Sequence, residues 1–149
     1  MLPGRLGPLV SPLGPVVLRI LAALECPNEK SPDNTATVAL DDIAALHEAV
    51  AISLKHGQVI DFKGHQMGGD EILYGRAGIL WAILNIRNHI FDERTLSAMR
   101  PVFEKVPLLV HAIVEAGKKG SRDFIEANGS KDAFPLMWLW MEQRYALGA

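Results

Sequence analysis

Apolar side chains recur at every third or fourth position over most of this chain, and that spacing commits it to helices. Across Leu40 to His56, the residues Ile43, Leu46, Val50 and Leu54 share one face of a 3.6-residue turn. Asp41, Asp42 and Glu48 lie towards the start of that segment and Lys55 and His56 at its end, as a helix dipole favours, and Gly57 is a natural stop. A further helix opens at or just after Gly75 and runs to about His89. Its Ile79, Leu80, Trp81, Ile83, Leu84 and Ile86 make a broad apolar face, which predicts burial on more than one side. The spacing of Val102, Val106, Leu109 and Ile113 predicts another helix over roughly Leu96 to Lys118, kinked or broken by Pro101 and Pro107 and ended by Gly117 and Gly120. An earlier apolar segment, Val16 to Glu25, follows Pro15, whose fixed φ suits a first helical turn.

Between these helices the composition turns polar or glycine-rich. Pro27 to Thr37, Gln58 to Asp70 and Ser121 to Ala133 read as loops, and Pro135 to Tyr145 as a short aromatic segment. No stretch alternates apolar and polar residues long enough to compete as a strand. The expected class is all-α.

A chain of 149 residues can bury one domain-sized core. Its net charge of −2 and scattered basic residues give no footprint for nucleic acid. The densest basic group, Lys118, Lys119 and Arg122, reads as a solvated helix end. The most apolar run, Pro15 to Leu24, contains Arg19 and is about half the length a bilayer requires. Pro3, Pro8, Pro12 and Pro15 break the hydrophobic stretch that a signal peptide would need, so no cleaved leader is expected. The single cysteine, Cys26, has no partner for a disulfide within the chain, and a thiolate zinc site would need ligands from elsewhere. That composition suits a reducing, cytoplasmic setting, with a membrane-peripheral position as the alternative. His47, His56, His65, His89 and His111 show no metal-ligand spacing. Trp81, Trp138 and Trp140 read as core residues.

Two features point to a larger helical assembly. Pro135-Leu136-Met137-Trp138-Leu139-Trp140 places large apolar side chains close to the end of the sequence, which predicts a covering surface or self-association. In addition, Gly4-Arg5-Leu6-Gly7-Pro8-Leu9 and Gly75-Arg76-Ala77-Gly78-Ile79-Leu80 share a Gly-Arg-x-Gly core; Gly75 follows Gly4 by 71 positions, the signature of an internal repeat of helix starts. A Gly-x-x-Gly step at a helix start removes two Cβ atoms from one face and lets another element approach closely.

Asp70-Glu71-Ile72-Leu73-Tyr74-Gly75-Arg76-Ala77-Gly78-Ile79-Leu80-Trp81-Ala82-Ile83-Leu84 resembles the second-repeat start of eukaryotic lanthionine synthetase C-like proteins, which read as an acidic residue, two apolar positions and Tyr-Gly-Arg-x-Gly before an aromatic-rich helix. Further on, Pro135-Leu136-Met137-Trp138 and Tyr145-Ala146-Leu147-Gly148-Ala149 are similar to the family's Pro-Leu-Met-aromatic and Tyr-x-Gly-Ala segments. The resemblance covers Asp70 to Ala149 well and residues 1–26 faintly. It implies an (α/α) toroid of stacked helical hairpins, here as an incomplete ring. Residues 1–149 would form a partial domain spanning roughly the second and third repeats, with 1–38 a poorly ordered or degenerate remnant of the first.

The resemblance further implies thiol addition to dehydroamino acids, with glutathione or peptide cysteine as the thiol. In the family a zinc ion held by two cysteines and a histidine lowers the thiol pKa. This sequence departs from that pattern: the Ala-His-Gly that follows Tyr-x-Gly-Ala and the later zinc-binding cysteine segments are absent, so the chain alone is expected to be inactive and to hold no cofactor. A non-catalytic helical interaction module, or a degenerate paralogue, is the alternative. Glu71 is the one catalytic position that the resemblance carries over, matching an aspartate that bacterial members present as an acid/base. A carboxylate there could pass a proton to the enolate, or simply charge the helix start; Asp70 is the neighbour that could substitute. Tyr74, Gly75, Arg76 and Gly78 form the structural motif. Arg76 suits a glutathione carboxylate, but a salt bridge to Glu71 or to a neighbouring hairpin accounts for it more simply.

Overall fold

The periodic apolar segments become five helices, α1 Leu13–Glu25, α2 Leu40–Lys55, α3 Arg76–Arg87, α4 Glu93–Phe103 and α5 Val106–Asn128. The computed structural model describes residues 6–9, 11–25, 38–55, 59–62, 64–129, 134–141 and 144–146. The molecule is mostly helical, as expected. Cys26, His56, the expected loop 27–37 and residues 147–149 lie outside the described residues, as do Gly4 and Arg5 of the first Gly-Arg-x-Gly core.

The core is a single cluster in which α1 packs on α2, α2 on α4 and α3 on α5. Leu6, Leu13, Ile20, Leu46, Ile79, Ile83, Ile86, Met99, Val102 and Leu109 are essentially without solvent contact. Each such side chain contributes about 1.5–3 kcal/mol by leaving water. Ile43, Leu46 and Val50 bury one face of α2 as their spacing requires. Within 1–38, expected as a remnant, Leu6 and the inner face of α1 belong to this core. Arg19 on α1 reaches Asp42 on α2, with Nε and one Nη within hydrogen-bond distance of the carboxylate.

Three expectations about the helices are corrected. The break expected from Pro101 and Pro107 falls at Glu104–Lys105, but the first of the two helices starts at Glu93 rather than near Leu96. Pro101 lies in the last turn of α4 and Pro107 in the first turn of α5, where its missing N–H costs least. The second correction concerns the far end of α5, which passes through Gly117 and Gly120 and stops only at Gly129, where φ is +62°. Residues 121–128 are therefore helix rather than loop. Third, α3 is buried on one side only, since Trp81 is 47% and Leu84 41% exposed.

A small antiparallel sheet accompanies the helices, where the sequence shows no strand pattern. Its strands are β1 Val59–Phe62, β2 His65–Gly68, β3 Trp138–Met141 and β4 Arg144–Ala146, in the order β1-β2-β3-β4. Strands this short offer too few positions for an alternation to stand out. β1 and β2 form a hairpin in which Phe62 pairs with His65 and Gly64 adopts φ +81°. The segment expected as a loop from Gln58 to Asp70 is largely this hairpin. β2 meets β3 at Met67 and Met141.

β3 in turn packs on α5. The Trp138 indole lies directly on Gly117 and donates from Nε1 to the Ile113 carbonyl at 2.8 Å. Gly117 therefore sits inside a helix because a Cβ there would come within 2.7 Å of the indole ring. Met137 and Leu139 are also buried in the chain, which covers much of the apolar segment that the sequence left without a surface.

Candidate functional site

Every described member of the Gly-Arg-x-Gly motif lies in one tight turn at the start of α3. The turn is closed by backbone bonds: Gly75 N–H donates to the Glu71 carbonyl at 2.7 Å and Arg76 N–H to the Gly69 carbonyl at 2.9 Å. A Cβ at Gly75 would overlap the Gly69 carbonyl, and one at Gly78 would overlap the Ile72 carbonyl and come within 3.0 Å of the Gly7 Cα. Gly7 itself lies hard against the Leu73 carbonyl, and Leu6 N–H donates to the Tyr74 carbonyl at 3.0 Å. Leu6 and Gly7, the described half of the first Gly-Arg-x-Gly segment, thus pack on the second, Gly7 against Gly78. Only the second starts a helix. The first is followed by a turn, and α1 begins at Leu13 with its first N–H bonded to Ser11 Oγ at 3.0 Å.

Arg76 is buried and pairs with Asp70 rather than with Glu71. Its Nε donates to Oδ1 at 2.6 Å and one Nη to Oδ2 at 2.8 Å, the forked geometry that suits guanidinium and carboxylate. Burial pushes the Asp70 carboxyl above its ordinary range, and the Arg76 guanidinium draws it back only in part. Glu71 is turned the other way. Its Oε2 accepts from Leu73 N–H at 3.1 Å and Tyr74 N–H at 3.0 Å, which satisfies amides that the turn leaves open. The sequence could not separate these two adjacent carboxylates, because the choice depends on which one the turn carries beneath α3.

Arg76 also borders an open cleft of about 320 Å³ between the start of α3 and one face of α5. Ala112, Glu115, Ala116, Lys119 and Arg122 supply that face, at three- and four-residue steps. Glu115 bonds to Lys118 at 2.8 Å and Lys119 to Asp123 at 2.6 Å. The hydrogen bond from Lys118 holds the Glu115 carboxyl below its usual range, with smaller help from the charge of Lys118 and of His111 and Arg122. The basic group expected at a solvated helix end therefore stands within α5, and two of its members, Lys119 and Arg122, line a cleft. Its only signal in the sequence was the spacing of Arg122 behind Lys119 and Glu115.

The zinc chemistry of the resembling family can be tested against the residues present. One cysteine cannot supply the two thiolates that such a site needs, and no group of three or more His, Cys, Asp or Glu among the described residues could hold a metal ion. The residues do not fit that site. His47 Nε2 donates to the Ala98 carbonyl at 3.1 Å, a tie between α2 and α4. Trp81 stands out from α3 instead of filling the core, Trp138 is half-buried against α5, and the side chain of Trp140 lies outside the described residues. No helix among the described residues is long and apolar enough to cross a membrane.

No family model matches this sequence, and no solved structure matches it.

Proposed function

We propose that this chain is a helical packing unit of a lanthionine synthetase C-like protein, working as a scaffold in a cytoplasmic setting and not as a reaction centre. One observation carries the reading: the charged side chains Asp70, Glu71 and Arg76 each help to hold the turn itself. Asp70 and Arg76 satisfy each other in a buried pair, and Glu71 caps the amides of Leu73 and Tyr74. A proton shuttle needs a carboxylate within reach of a reacting atom, whereas Oε2 of Glu71 accepts from two backbone donors of the turn. The interlocked glycines, Gly7 against Gly78, suit a stack of helical units whose backbones must approach closely. In this reading the toroid is the parent architecture, and thiol addition to dehydroamino acids by glutathione or peptide cysteine belongs to ligands that this sequence does not contain.

The test is to incubate the purified chain with zinc, glutathione and a dehydroalanine peptide, and to follow adduct formation by mass spectrometry. The expected result is an adduct rate equal to that of buffer and no stoichiometric zinc after gel filtration. An adduct rate above buffer that falls with Glu71→Gln would overturn the scaffold reading.

A further inference from the structure

The cleft between α3 and α5 carries chemistry that a scaffold does not require. Three of its six lining side chains are cationic against one carboxylate, Glu115: Arg76, whose charge Asp70 balances from behind, Lys119, which pairs with Asp123, and Arg122. Ala112 and Ala116 also line it, and their short side chains fill little space. We propose that this cleft binds a small oxyanion, the carboxylate or phosphate head of a ligand whose remainder extends into solvent.

The three cations differ in how they are held, and the difference favours a ligand. Arg76 is fixed from behind: Asp70 takes two of the five N–H donors of its guanidinium, at 2.6 and 2.8 Å. A donor immobilised in this way loses little further freedom when a ligand arrives. Lys119 is engaged only by Asp123 in an exposed pair, which exchanges readily in water. Arg122 is exposed and forms no ion pair among the described residues. Its planar fork matches the paired oxygens of a carboxylate or phosphate. The positive end of the α3 dipole lies on the same side, because Arg76 is the first residue of that helix. Glu115 opposes an anion, but Lys118 draws its carboxylate aside at 2.8 Å. A cleft of about 320 Å³ lies at the small end of ligand pockets, which fits a head group better than a large planar ligand.

The inference does not rest on the scaffold reading, and its test has a separate readout. The isotope-labelled full chain is titrated with inorganic phosphate and, in a second series, with succinate, at ionic strength matched by sodium chloride. Backbone amides and arginine Nε resonances are followed by NMR. The expected result is saturable shifts at Arg76, Lys119 and Arg122 with a dissociation constant of the order of millimolar. Arg122→Gln should weaken binding at least about fivefold, and Glu115→Gln should tighten it about threefold by removing the opposing charge. Both positions are exposed on α5, so an unchanged melting temperature verifies the fold of each variant. Tighter binding of phosphate assigns a phosphate head group, and tighter binding of succinate a carboxylate; either supports the site. No saturation with both anions up to about 50 mM, or saturable shifts indifferent to both substitutions, would sink the proposal.

Discussion

Asp70 and Arg76 close on each other six residues apart, through two parallel hydrogen bonds of 2.6 and 2.8 Å, with side chains only 2% and 8% exposed. The pair lies under the turn that begins α3, so the charge of Arg76 is neutralised inside the fold while the edge of the residue borders the cleft. Glu71, next in sequence to Asp70, is thereby left to the backbone amides on the other side of the turn.

Removing one partner of this pair leaves the other as an uncompensated buried charge. Arg76→Met should destabilise the chain by about 3–5 kcal/mol. Asp70→Asn with Arg76→Met should cost clearly less than the sum of the two single substitutions. Urea denaturation followed by circular dichroism measures all three, and additive costs would show that the two side chains do not act as a pair.

Gly78 touches backbone on two sides, and backbone cannot swing away as a flexible side chain can. Gly78→Ala is expected to cost about 1–3 kcal/mol or more, because its Cβ would overlap the Ile72 carbonyl and press on Gly7. Gly7→Ala should be comparably damaging, and the double variant should fall short of additivity because both changes open the same joint. Thermal melts of the three variants decide the matter.

Glu71 acts on two amides, so its loss should read as stability. Glu71→Ala should destabilise by about 0.5–2 kcal/mol, in the range of a lost helix cap, and Glu71→Gln by less because its amide oxygen still accepts. Amide exchange at Leu73 and Tyr74 should quicken in Glu71→Ala alone. Unchanged exchange at both amides would mean that the carboxylate is free for another role.

Asp92 gives a pH signature. It caps α4 by accepting from Thr95 N–H at 2.9 Å and from Thr95 Oγ1 at 2.5 Å, and the Thr95 hydroxyl in particular holds its carboxyl below the usual range. A depressed carboxyl stabilises the fold above its unfolded value of about 3.9, and that stabilisation is lost as pH falls through the lower folded value. Asp92→Asn keeps an acceptor but cannot titrate. Wild type should therefore melt higher than Asp92→Asn at pH 7 by about 2–4 °C, and the gap should narrow as pH falls below the unfolded value of about 3.9. A gap that is constant with pH would count against a charged cap.

Much of the helical framework was legible because it depends on residues close together in the chain. Ile43, Leu46 and Val50 predict their own burial, and Gly75 marks the start of α3, since period and capping are local properties. The C-terminal half of α5 was not legible. Gly117 and Gly120 read as a stop until Trp138 is known to lie on Gly117, and that indole comes from a strand beyond the helix. The sheet was hidden for a related reason, because β2 gains its second neighbour from Met141, far along the chain from Met67.

By itself the sequence determined that helices would build the core, where α2 and α3 would begin, and that a pair of glycine-spaced segments would suit close backbone contact. Only the tertiary structure decided that Gly7 packs on Gly78 and Leu73, that Asp70 rather than Glu71 neutralises Arg76, and that Arg76, Lys119 and Arg122 border one cleft. Periodicity reports which face of an element turns inward. It carries no information on which distant surface that face will meet, and the pairing of charges and the shape of a cleft are set by those meetings.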